Sequence, residues 1–285
     1  MNYIAIDGEL VKADEARLHV SDLGLLRGYA LFDFFRVSRG VPLFLDDYLT
    51  RFFRSAERLA IPVPLGRAAL TQLIETLLAA NQQPESAVRM VLTGGYSDNG
   101  FTPGKPNLIV MQHEAPRYPE TLFTQGAHLM SYPYVRDIPE VKSTNYALVL
   151  ALQPKLKELG ALDVIWHDGK IISESSRSNV FIVDAEGVVR TPARNVLLGI
   201  TRQRVLELAR ERYPTREDAI TLEELRRARE VFLTSTTKGI MPVSMLDGEP
   251  IGGGKPGPVT LELRAALAAT AQRYLETVKR DAVHS

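Results

Sequence analysis

Apolar positions along this chain alternate between two periods. Near the start, Tyr3, Ile4, Ala5 and Ile6 are followed by Asp7-Gly8 and then Leu10-Val11. Asp-Gly suits a turn whose central residues take positive φ, so the pattern predicts a tight β-hairpin. Residues 30–37, rich in Phe, predict a strand that Ser38-Arg39-Gly40 turns and 41–44 returns. The period then lengthens. Leu49, Phe52, Phe53, Ala56, Leu59 and Ala60 share one helical face, Arg51, Arg54 and Arg58 fall on the other side, and Asp46 or Asp47 is the expected N-cap. Leu70, Leu73, Ile74, Leu77 and Leu78 predict a second helix, and 87–93 and 107–112 two further strands.

Pro116 and Pro119 punctuate a polar stretch, which predicts a linker at 116–120. Beyond it, strands are expected at 127–131, 163–167, 179–183 and 231–234, with helices after Asn145, Thr201, Thr221 and Val259. Thr221-Leu222-Glu223-Glu224 has capping-box spacing, and Gly160 is placed to end the helix after Asn145. Residues 247–258 are a Gly/Pro-rich loop, and no internal repeat is visible. The fold class is therefore α/β, α+β in parts. A smaller mixed α/β domain, 1–115, precedes a larger β-rich domain with flanking helices, 121–285.

Composition narrows the chemistry. The 285 residues carry 34 Lys+Arg against 34 Asp+Glu, which argues against a nucleic-acid binder. No cysteine is present, so disulfides, thiolate nucleophiles, iron–sulfur clusters and Cys-ligated zinc are excluded. No apolar run approaches the ~18–20 residues of a membrane span, and the start lacks a secretory pattern, so the expected location is the cytoplasm. The five histidines show no metal-ligand spacing, and no metal is expected. Gly252-Gly253-Gly254-Lys255 is followed by Pro256, unlike a phosphate-binding P-loop, and no G-x-S-x-G elbow occurs.

Four local features remain. Val141-Lys142-Ser143-Thr144-Asn145-Tyr146 sets a lysine, a candidate amine nucleophile, just before an apolar helix. Ser173-Glu174-Ser175-Ser176-Arg177-Ser178-Asn179 reads as a loop of small hydroxyl residues holding one acid and one base, with room for a ligand. Leu198-Gly199-Ile200-Thr201-Arg202 opens a helix, whose first N–H groups can hold an anion. Leu233-Thr234-Ser235-Thr236-Thr237-Lys238-Gly239 is a Thr-rich turn able to present hydroxyls and N–H groups. Each alone reads first as an ordinary turn or surface.

In this order, together with Arg27-Gly28-Tyr29-Ala30-Leu31-Phe32-Asp33 and Asp47-Tyr48-Leu49-Thr50-Arg51-Phe52, the features resemble fold-type IV pyridoxal-phosphate enzymes over nearly the whole chain. That group includes branched-chain aminotransferases, D-amino-acid transaminases and aminodeoxychorismate lyases. The resemblance implies pyridoxal 5′-phosphate as cofactor, with Lys142 as the catalytic lysine that holds it covalently. It further implies Glu174 as the acid at the pyridine nitrogen and Arg51, Ile200, Thr201 and Thr236 at the phosphate. Tyr146 would lie near the 3′-oxygen; Lys-x-x-Asn resembles the D-amino-acid transaminase and lyase branches, while Asn-Tyr resembles the branched-chain one.

Arg27, Arg89 and Arg177 are candidate substrate-binding residues, since bidentate guanidinium pairs suit carboxylates. Arg89 alternates with Val88 and Met90, which leaves open whether it lies simply on the exposed face of a sheet. The resemblance further implies that the Thr237-Lys238 turn offers N–H donors to a carboxylate. The resemblance, taken with these arginines, implies ping-pong transamination between D-amino acids (D-glutamate, D-alanine) and 2-oxo acids (2-oxoglutarate, pyruvate). The alternatives are a branched-chain L-aminotransferase, an aminodeoxychorismate lyase or (R)-amine transaminase, and a non-catalytic binder of the cofactor. The resemblance also implies a homodimer, with residues near Arg27 reaching the neighbouring site.

Overall fold

The computed structural model describes residues 2–284, with side chains described for 2–280; Met1 and Ser285, the ends of the sequence-based domains, lie outside. The chain forms two units. The first comprises Met1–Pro116, Val141–Asn145 and Tyr274–Ser285, and the second Arg117–Glu140 and Tyr146–Arg273. This division differs from a sequential one, because the short segment bearing Lys142 pairs with a strand of the first unit.

The first unit holds β1 (Tyr3–Ile6), β2 (Glu9–Lys12), α1 (Leu23–Arg27), β3 (Ala30–Ser38), β4 (Val41–Pro42), α2 (Leu45–Arg58), α3 (Arg67–Asn81), β5 (Ser86–Thr93) and β6 (Leu108–Glu114). Its strands make one antiparallel sheet in the order β2-β1-β6-β5-β3-β4. In the first hairpin Ile6 lies opposite Glu9, and the turn between them has Asp7 at φ 51° and Gly8 at φ 99°. Side chains alternate along β3. Asp33 and Phe35 face α2, where they meet Arg51 and Tyr48. Phe32 and Phe34 point to the opposite face.

Two local expectations are corrected. Helix α2 begins at Leu45, with Phe44 at the N-cap in the left-handed region (φ 56°) and no side-chain cap. Asp46 and Asp47 lie in the first turn instead, where they complement the positive end of the helix dipole. Arg51 is not on the solvent side with Arg54; it is buried beside Tyr48, Phe52 and Ser55.

The second unit holds α4 (Thr121–Thr124), β7 (Ala127–Pro133), α5 (Ala147–Ala151), α6 (Gln153–Glu158), β8 (Asp163–His167), β9 (Ile172–Ser175), β10 (Asn179–Val183), β11 (Val189–Pro192), α7 (Ile200–Arg210), β12 (Thr215–Asp218), α8 (Leu222–Arg227), β13 (Glu230–Ser235), β14 (Gly239–Leu246) and β15 (Glu249–Pro250). The last helix, α9 (Pro258–His284), runs on into the first unit from Tyr274. Its strands form a mixed sheet, β12-β11-β10-β13-β14-β7-β8-β9, with β15 added beside β14. Both faces are covered. Val180, Ile182, Val231 and Leu233 pack in one cluster with Leu225 of α8. Phe181 and Phe232 stack at 5.0 Å in another with Val205 and Leu206 of α7 and Leu263 of α9. That two-sided burial is why these strands read as unbroken apolar runs. The Ser-rich stretch read as a loop is instead strand, turn and strand: Ser173, Glu174 and Ser175 lie within β9, all buried.

The capping box forms as expected. Glu224 N–H donates to Thr221 Oγ1 (3.0 Å) and Thr221 N–H to Glu224 Oε2 (2.7 Å). That amide bond, followed by the Arg190 guanidinium, brings the Glu224 carboxyl down to about 2 from an ordinary 4.5. A depressed carboxylate stabilises the fold above its unfolded value and loses that contribution as pH falls toward the folded value. Glu224→Gln should therefore lower Tm at neutral pH and flatten the fall in Tm between pH 4.5 and 2; an acid limb identical to the wild type's would contradict this.

Candidate active site

Strand β4 pairs only with Val37 and Ser38, so the Ala30–Phe32 end of the β3 edge is left for another segment. Residues 142–144 take that place. Phe32 N–H donates to the Lys142 carbonyl (2.9 Å), Thr144 N–H donates to the Ala30 carbonyl (3.1 Å), and Leu31 bridges Ser143. The Lys142 amine then lies 4.7 Å from the centre of the Phe32 ring. Phe34 is opposite Arg89 in the β3–β5 register. The Arg89 guanidinium is 5.4 Å from the Phe32 ring and 5.7 Å from that of Phe34. Lys142 and Arg89 thus share one aromatic ring on one sheet face.

On the other face, Arg51 makes a bidentate pair with Asp33: Nε to Oδ2 at 2.9 Å and Nη2 to Oδ1 at 2.6 Å, with both side chains almost wholly buried. Asp33 Oδ1 also accepts the Phe34 N–H at 2.7 Å. Arg27 ends α1 and is exposed, its Nε donating to the Gly100 carbonyl at 2.9 Å.

In the second unit, Glu174 is buried and fully engaged. Arg136 Nε and Nη2 reach Oε1 at 2.8 and 2.7 Å, while Leu197 N–H (2.9 Å) and Asn179 Nδ2 (3.3 Å) donate to Oε2. Asn179 Nδ2 also donates to the Leu197 carbonyl at 2.7 Å. Two residues on, Gly199 is the N-cap of α7, and its backbone passes so close to Asn179 that a Cβ there would sit 2.2 Å from Oδ1. Asn179 therefore ties the buried acid to the helix start at Ile200 and Thr201. Gly199 brings no side chain to cap that start.

Tyr146 precedes α5. Burial pushes its hydroxyl pKa up; Arg136 and Arg177 act against this, and Glu174 and Asp163 with it. Arg177 is exposed in the turn between β9 and β10. Thr236 and Thr237 are half-buried in the turn after β13. The Lys238 N–H donates to Ser235 Oγ (3.2 Å), and its side chain is buried against Asp163 and Ser178. Arg136 and the roles of Asp33 and Asn179 were not read from the sequence. Arg136 lies in an irregular stretch with no period to mark it, and the other two depend on contacts distant along the chain. Among the described residues, no three His, Asp or Glu side chains gather as a metal site, and no helix is long and apolar enough to cross a membrane.

Comparison with known proteins bears on this geometry directly. The family model described as Amino-transferase class IV matches residues 30–246, most of the chain. The chain belongs to the class IV aminotransferases. It is 30% identical to a D-alanine aminotransferase of Listeria monocytogenes over 287 residues, covering 97% of this chain and 96% of the relative. The branched-chain amino acid aminotransferase of Escherichia coli superposes with a TM-score of 0.87 at 27% identity, covering 94% of each chain. The T.th. branched-chain amino acid aminotransferase, solved with pyridoxamine 5′-phosphate, gives 0.86 at 27% identity, covering 95% of this chain and 94% of that one.

This aminotransferase uses pyridoxal phosphate as cofactor. Each unit by itself offers groups that fit it: the second a buried acid and a glycine-led helix start able to hold an anion, the first an amine packed on an aromatic face and a buried guanidinium. When bound, the cofactor supplies an aldehyde and an electron-withdrawing ring. The protein supplies rigidity around it. Asp33→Ala would leave the Arg51 cation buried without its carboxylate, so the aminotransferase should lose about 3–5 kcal/mol of stability in urea titration. Asp33→Ala/Arg51→Met should recover most of it; an unaffected single variant would mean the pair holds nothing.

Proposed function

We propose that this aminotransferase moves amino groups between D-amino acids, D-glutamate and D-alanine among them, and 2-oxo acids such as 2-oxoglutarate and pyruvate. One observation carries the reading: the Lys142 amine and the Arg89 guanidinium lie on the same Phe32 ring. A cation that grips a carboxylate beside the amine that handles the Cα proton is what a dicarboxylate substrate needs. In this reading the Lys142 amine would hold the cofactor and, once the substrate's amino group has displaced it, would be the base that takes the substrate's Cα proton. Glu174, backed by Arg136, sits at the ring nitrogen, and Tyr146 serves as a neutral hydroxyl near the 3′-oxygen. Arg51, oriented by Asp33, binds phosphate with Ile200, Thr201 and Thr236. Arg27, Arg89 and Arg177 receive carboxylates, with Thr237 beside them. The D-alanine aminotransferase relative supports the choice of hand.

The likeness to branched-chain enzymes favours a second reading, with L-leucine as donor and Phe32 and Phe34 as an apolar pocket. Paired assays separate the two. D-glutamate with pyruvate should turn over and L-leucine with 2-oxoglutarate should not, and Lys142→Ala should abolish turnover. Activity with the L pair alone would overturn the D assignment.

A homodimer in which Arg27 serves the neighbouring site is part of the same proposal. Val20, Leu25 and Phe101 are 70%, 71% and 80% exposed, and Arg27 is bonded to Gly100 beside Phe101. Exposed apolar side chains of this size suit a self-association surface. Sedimentation should give twice the 31.7 kDa chain mass, and Leu25→Asp should shift it toward the monomer; a monomeric wild type would refute the dimer.

A further inference from the structure

Lys238 and Asp163 are removed from water almost entirely, at 1% and 0% side-chain exposure. The ammonium lies 3.6 Å from Asp163 Oδ2 and donates to Ser178 Oγ at 2.9 Å. Asp163 Oδ1 accepts from Ser176 Oγ at 2.5 Å and from Val164 N–H at 2.9 Å. The ring of Tyr118 packs 5.7 Å from the Lys238 nitrogen. Asp163 Oδ2 has no hydrogen-bond partner among the described residues, so Lys238 answers its charge electrostatically.

A buried pair of this kind seldom adds stability over apolar packing, because both ions must be desolvated. What this one does is geometric. It holds both shoulders of a turn: Ser176 through the carboxylate and Ser178 through the ammonium. Ser175 N–H closes that turn on the Ser178 carbonyl at 2.8 Å. Arg177, between the two serines, is the residue left pointing outward, three positions after Glu174. The same lysine belongs to the Thr236-Thr237 turn, where its N–H is bonded to Ser235 Oγ. One side chain therefore spans two turns, both assigned above to ligand binding.

We propose that the Asp163–Lys238 pair is a positioning device for substrate recognition, clamping the Ser176 and Ser178 shoulders so that Arg177 is held in one direction for a substrate carboxylate. The inference rests on the reading of Arg177 as a carboxylate-binding residue. It makes Lys238 a determinant of dicarboxylate affinity that acts through Arg177, with no contact of its own to substrate.

The test is a double-mutant cycle on the holoenzyme, reading KM and kcat for D-glutamate and, by calorimetry, the Kd of unreactive glutarate. Lys238→Met should raise KM and Kd about tenfold while kcat changes by less than about threefold, the pattern of lost binding. Lys238→Arg should restore most of the affinity. Arg177→Ala should raise both constants similarly, and Arg177→Ala/Lys238→Met should be no worse than Arg177→Ala, since the two residues act as one. Additive losses in the double variant would overturn the proposal. So would an unchanged Lys238→Met beside an impaired Arg177→Ala, which leaves the Arg177 reading standing. An unchanged Arg177→Ala would overturn both. Where Lys238→Met does not fold, Asp163→Asn/Lys238→Met keeps the site neutral, and Ser178→Ala removes one shoulder only; unchanged KM and Kd in these two would equally overturn it.

Discussion

An open strand edge is the constraint on which the amine's position depends. Strand β3 runs nine residues, but β4 covers only its Val37–Ser38 end, so N–H and C=O groups near Ala30 and Phe32 would otherwise face outward unpaired. Natural sheets cover or block such edges. Here the cover is the segment bearing Lys142, joined by the Phe32 N–H and Ala30 carbonyl bonds. The lysine is located by main-chain pairing, which depends little on neighbouring side chains. Once that register is set, strand alternation puts Phe32, Phe34 and Arg89 on one face and Asp33 with Arg51 on the other. A slip of one residue would exchange the two faces and send the buried carboxylate outward.

The second unit solves a parallel problem with side chains. Glu174 is a carboxylate inside a strand whose neighbours are all buried, which is tolerable only if its oxygens are satisfied. Arg136 satisfies one oxygen, and Leu197 N–H with Asn179 the other. The Leu197 bond does more than neutralise a polar group. It fixes the approach to Gly199, and so the start of α7, relative to the acid. Gly199 is constrained because Asn179 occupies the space a side chain would need.

Much of this was legible from residue order. The Asp7-Gly8 hairpin, the α3 face of Leu70, Leu73, Ile74 and Leu77, the apolar strands around Val180 and Val231, and the Thr221–Glu224 box all carry local signals, and all form. The motif run from Arg27 to Lys238 was enough to point to the family. What stayed hidden shares a physical cause. Arg51 falls at a helical position that the apolar spacing assigns to solvent, and the Asp33 carboxylate, eighteen residues earlier, pairs with it where it is buried. Ser173–Ser175 look like loop because small hydroxyl residues favour turns, yet tertiary pairing draws them into β9. Arg136 has no pattern at all. Charges buried by distant partners leave no local trace, and that is where sequence reading stops.

Arg89 shows why exposure and function should not be set against each other. Its alternation with Val88 and Met90 left two readings, solvent-facing residue or substrate ligand. The structure has it exposed, but on the face where Phe32 carries the Lys142 amine. A guanidinium on an aromatic ring keeps its stem in contact while its N–H groups face water, whereas one buried like Arg51 is oriented by a carboxylate in its own unit. The three arginines proposed for substrate are exposed, and the one proposed for phosphate is not. That division suits a reaction in which the cofactor stays and the amino acids come and go: groups that must release a ligand each cycle stay near water, and groups that hold one for good are set among fixed charges.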